Sequence, residues 1–93
     1  MIKSYSNDDL EIANFELQKA FSENDLKTIV SIYKSKAEFD LKAGDEESAY
    51  FLMTQAYIYA LEGGFSVAKE LKEILVLLEE NLYKTTVGVW HLI

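Results

Sequence analysis

A turn signal that recurs every 20 residues, at Asn24, Gly44 and Gly64, constrains this chain more than any other feature. Asn and Gly tolerate the left-handed backbone that ends a helix. Asp25 and Asp45 follow the first two signals directly and are natural caps for the next helix, because a carboxylate accepts the free amides of a first turn. The chain contains no Pro, so no other residue forces a break in a long element. The spacing therefore predicts near-equal helices joined by short turns.

The apolar residues between the signals fall at helical spacing. A first helix is expected from about Asp8, capped by Ser6 or Asn7, with Leu10, Ala13, Leu17, Ala20 and Phe21 on one stripe. A second runs from about Leu26 to Lys42, its stripe made by Leu26, Ile29, Val30, Tyr33, Ala37 and Leu41 and widened by Ile32 and Phe39. A third, Glu46 to Glu62, is apolar nearly all round. Ala49, Met53, Ala56 and Ala60 give it a small-residue face that lets a neighbour approach closely. A helix of this kind is expected to be central and buried on several sides. Ser66 is the expected cap of a fourth, with Val67, Leu71, Ile74, Leu75, Leu78 and Leu82 facing inward. After residue 84, β-branched and aromatic residues dominate and Gly88 interrupts the pattern. Residues 1–84 thus read as one helical domain and residues 85–93 as a non-helical tail docked on it, with Trp90 as the anchor.

The expected fold is all-α, with four antiparallel helices arranged as two stacked helical hairpins. Equal helices and short loops also suit an up-and-down four-helix bundle.

Charge and composition exclude much. The net charge is −7, and all nine basic residues are Lys. Nucleic acid and anionic membrane call for clustered positive charge, so neither is an expected partner. The acids are spread along the chain, ten in residues 1–46 and six in residues 47–93, a pattern that suits solubility. There is no Cys, which removes thiolate chemistry and Cys-ligated metals. The longest apolar runs are five residues, such as Ile74 to Leu78, where a membrane span needs about 20. The N-terminal residues have no signal-like apolar core, and the expected location is cytoplasmic.

Gly44-Asp45, followed by Ala49, Met53 and Ala56, resembles the second helix of a tetratricopeptide repeat, and Tyr33 and Ala37 match aromatic and small positions of its first helix. The resemblance covers Ser31 to Glu62. Lys36 and Asp40 depart from it, standing where the motif has Leu and Tyr, and no Pro follows the second helix. The hairpin period is 40, against about 34 in tetratricopeptide units. The run Gln55 to Glu62 also looks like a segment of short uncharacterised bacterial proteins of this type. The resemblance implies protein–protein interaction, with a partner peptide or helix held in a groove lined by the first helix of each hairpin.

No nucleophile motif, phosphate-binding Gly loop or metal signature is present. The sole His, His91, lies beside Trp90 in the tail. Glu70 and Glu73 sit at ligand spacing on a helix but read as a solvated face. No enzymatic activity, cofactor or metal is expected. The candidate interaction surface is aromatic: Tyr33, Phe39, Tyr50, Tyr57, Tyr59 and Trp90. The expected function is an interaction module. The alternatives are a self-assembling bundle, such as a homodimer made through the tail, and a small-molecule or regulatory binding domain. The acidity favours a protein partner whose contact surface carries basic residues.

Overall fold

The computed structural model describes the backbone of residues 7–91 and the side chains of residues 14–82. Four helices follow one another: α1 (Asn7–Ser22), α2 (Leu26–Lys42), α3 (Glu46–Glu62) and α4 (Val67–His91).

The three turns are copies of one motif. Asn24, Gly44 and Gly64 have φ of 54°, 86° and 69°. Each donates its amide to a carbonyl three residues back: Asn24 to Phe21, Gly44 to Leu41 and Gly64 to Leu61, all at 3.1 Å. The next amide reaches back five residues, from Asp25 to Ala20 (2.8 Å), Asp45 to Asp40 (2.9 Å) and Phe65 to Ala60 (2.9 Å). This is the Schellman closure of a helix end. Gly44 has open space where a Cβ would stand, so only its positive φ resists a side chain. Gly44→Ala is expected to cost about 1 kcal/mol through that strain, read as a lower urea midpoint. An unchanged midpoint would show that the turn relaxes freely.

The aspartate caps form as expected. The Asp25 carboxylate accepts from the Thr28 amide (3.2 Å) and the Thr28 hydroxyl (2.6 Å). The hydroxyl and then the amide hold its pKa below the ordinary value. Asp45 accepts from the Ser48 amide at 3.1 Å, while the Ser48 hydroxyl donates to Asp40 at 2.6 Å and ties the start of α3 to the end of α2.

The third turn differs. Phe65 takes the place of Asp25 and Asp45, and the expected Ser66 cap is replaced by backbone bonds, from the Ala68 amide to the Phe65 carbonyl (3.1 Å) and from Lys69 to Ser66 (3.2 Å). The carboxylate of the first two turns gives way to an aromatic ring packed on the core. That ring lies so close over Gly63 that a Cβ there would stand 2.5 Å from it.

Consecutive helices pack against each other, most intimately α2 against α3. Alternate helices meet through long side chains, Phe21 of α1 with Tyr59 of α3 and Lys34 of α2 with Glu70 of α4. The helices therefore lie in two layers, α1 beside α3 and α2 beside α4. Among the described residues α1 and α4 have no backbone contact, so the helices form an open stack of hairpins rather than a closed ring. The radius of gyration is 15.1 Å, against about 12 Å for a compact chain of this length.

The core is built on small residues. Ala37 of α2 and Ala49, Ala56 and Ala60 of α3 are 0 % exposed and Met53 is 1 % exposed, which brings the two helix backbones close. Leu71 and Leu78 of α4, Ile29 and Val30 of α2 and Ala20 of α1 complete the buried apolar set among the described residues. The expected small-residue face of the third helix is thus its inner face.

Two expectations are corrected. The third helix meets α2, α4 and, through Tyr59, α1, as expected of a central helix, but its apolar character all round does not bring full burial, because its outer face stays open: Phe51, Ile58 and Leu61 are exposed. The backbone does not change character at Thr85, for α4 continues through Gly88 to His91. Extending an existing helix adds one hydrogen bond per residue fixed. A single Gly costs only about 1 kcal/mol against Ala, and no Pro is present to stop it. Docking of the Trp90 side chain lies outside the described residues. Among the described residues no helix is long and apolar enough to cross a membrane.

Candidate interaction surfaces

Three of the six aromatic residues singled out in the sequence, Tyr33, Tyr57 and Tyr59, pack against the core. Tyr33 and Tyr59 are brought together with their rings parallel to within 1° and centroids 6.1 Å apart, and Phe21 meets Tyr59 edge-on at 5.5 Å. This three-ring stack joins α1, α2 and α3. Tyr57 packs against the core cluster, while Phe39 and Tyr50 are half-buried apart from the ring stack. Trp90 and His91 have side chains outside the described residues.

Burial, and to a lesser degree the neighbouring Tyr59, raises the pKa of Tyr33 above the ordinary tyrosine value. The fold therefore disfavours the phenolate. Stability from this source is intact below the ordinary tyrosine range and is lost as pH rises through it toward the raised value. The alkaline fall in urea midpoint is expected to be shallower in Tyr33→Phe than in the parent. Equal slopes would show that Tyr33 titrates as freely in the folded chain as in the unfolded one.

Among the described residues two open features stand out. The first is a cleft of about 640 Å³ between the first half of α2 and the turn into α4. Val30, Phe65 and Val67 supply its apolar lining, and Lys27, Ser31, Lys34 and Ser66 its polar lining. Lys34 Nζ lies 3.3 Å from Glu70 and 3.9 Å from Glu38, which braces α2 against α4 beside the cleft. Glu70 is thus engaged in an ion pair. Among the described residues no three metal-ligating side chains converge. The substitution of Phe65 for a capping Asp gives the cleft its aromatic wall.

The second feature is the outer face of α3, where Phe51 is 61 %, Ile58 48 % and Leu61 56 % exposed. Sequence reading named the residues of neither feature, although the resemblance implied a groove. The cleft depends on α2 and α4 lying side by side, which no local pattern encodes. The face on α3 has a signal, the spacing 51, 54, 58, 61, but the helix is apolar in every direction and the pattern alone does not say which side is inward.

Comparison with protein-family models, with curated proteins and with solved structures finds no match for this chain.

Proposed function

We propose that this protein is a protein–protein interaction module that holds a peptide or helix of a partner in the cleft between α2 and the start of α4. The cleft is the observation that supports the reading. Its volume of about 640 Å³ falls in the range of binding sites, and it combines apolar walls with a few polar groups, as such sites do. Val30, Phe65 and Val67 would take apolar side chains of the bound segment, and the Ser31 and Ser66 hydroxyls its backbone groups. A tetratricopeptide-like arrangement belongs to this reading, supported by the α2–α3 hairpin, which spans the residues that carry the resemblance. So does a cytoplasmic location, supported by a charge pattern that suits solubility.

Peptides selected by display against the full chain test the proposal. Ser31→Arg and Lys27→Glu, which fill or recharge the cleft at exposed lining positions, are expected to weaken the selected peptides at least about tenfold, or roughly 1.4 kcal/mol, with the helical melt unchanged. Selected peptides that bind the variants and the parent equally would overturn it.

A further inference from the structure

α3 carries two seams on opposite faces. Ala49, Met53, Ala56 and Ala60, at steps of four, three and four, make the buried one. Phe51, Thr54, Ile58 and Leu61, at steps of three, four and three, make the other. Both spacings are those by which one helix meets another. Three of the four outer residues are apolar and exposed. The fourth, Thr54, donates its hydroxyl to the Tyr50 carbonyl at 2.8 Å, so its polar atom is already satisfied within the helix. The outer seam runs for roughly 16 Å along the axis.

The charges around this seam identify what fits it. α3 contains Glu46, Glu47 and Glu62 and no basic residue. Glu47 and Glu62 stand at the two ends of the seam, within about 60° of its midline at 100° per residue. A second copy laid seam to seam would set these acids against the same acids, with no lysine on either α3 to answer them. Like charges in register oppose association. A helix with Lys or Arg flanking its own apolar stripe meets both the seam and its acidic ends, and the net charge of −7 would speed its approach.

We propose that the outer face of α3 docks a basic amphipathic helix of a partner protein. This surface is separate from the cleft, whose lining includes no residue of α3.

The full chain, isotope-labelled, is titrated with two synthetic peptides that share one apolar heptad stripe. One is flanked by Lys and the other by Glu. The Lys peptide is expected to become helical on binding, to shift the amides of residues 51–61, and to bind at least about tenfold more tightly than the Glu peptide at low salt, a gap that narrows as salt rises. A Phe51→Ser/Ile58→Ser double variant is expected to lose the binding and keep the parent's melting temperature. Equal affinity for the two peptides, or no amide shift with either, overturns the proposal. So does a concentration-dependent dimer abolished by the double variant, which would make a second copy the occupant. Shifts confined to the α2–α4 cleft also overturn it, and leave the cleft reading standing.

Discussion

Leu71→Ala is expected to lower stability by about 2–5 kcal/mol. Leu71 is 0 % exposed and joins α4 to the cluster of Val30, Ala37, Met53, Ala56 and Ala60. Its removal leaves a cavity among side chains that are mostly too short to collapse into it, since an alanine has no rotamer to offer. A chain of 93 residues has a total stability of roughly 5–14 kcal/mol. The loss is therefore a large share of the whole, and the melting temperature is expected to fall by roughly 10 °C or more. Leu77→Ala, at a residue 62 % exposed, is the control and is expected to stay within about 0.5 kcal/mol of the parent. Urea melts of both variants check the contrast. Equal midpoints for the two would mean that α4 does not seat on α3 through Leu71.

The converse change is expected at the α2–α3 crossing. Ala56→Leu adds three carbons at a position that is 0 % exposed, with Ala49, Met53 and Ala60 on its own face and Ala37 buried on the helix opposite. The helices must part or the side chain must leave its preferred rotamer, at about 1–3 kcal/mol. Leu52→Ala, on the same helix but at a half-buried position, should fall below the range for a fully buried leucine. A parent-like urea midpoint for Ala56→Leu would show that the crossing has slack, and would remove the argument that small residues set its closeness.

The turns were the most legible part of the molecule. A left-handed position needs Gly or Asn, a first turn needs an acceptor, and both requirements are local, so Asn24-Asp25 and Gly44-Asp45 declared themselves. The third turn was legible in its glycine and not in its cap, because Phe65 acts through a ring laid over Gly63 and packed on the core, a tertiary contact. The inner face of α3 could be read from its alanines, since small residues in a row have little use except close approach. Its outer face could not be told from a second buried face, because burial there depends on how many neighbours the stack supplies. The tyrosines carry a related ambiguity. An aromatic residue on a helix is equally suited to a partner or to the next helix, and Tyr33 and Tyr59 are occupied with each other. The run after Thr85 was read by residue preference, where continuation of a helix already begun prevailed.

The repetition of one closure at three turns has a consequence for how the molecule comes apart. A stack in which backbones touch only from neighbour to neighbour behaves as a one-dimensional array, whose stability is a sum of units and junctions rather than a property of a single closed core. Among the described residues the junction between α2 and α3 is the most extensive, and each terminal helix has a backbone junction with one neighbour. Opening then proceeds from the ends inward, α1 first because its seat on α2 is the lightest. Amide exchange under native conditions is expected to follow that order, with α1 fastest and the facing halves of α2 and α3 slowest. Uniform exchange across all four helices would mean that the array unfolds as a single body. The central pair contributes to both proposed surfaces, α2 to the cleft and α3 to the outer seam, so the seam stays in place while the ends loosen, whereas the cleft, which also uses the start of α4, is the surface that opening of α4 would disturb.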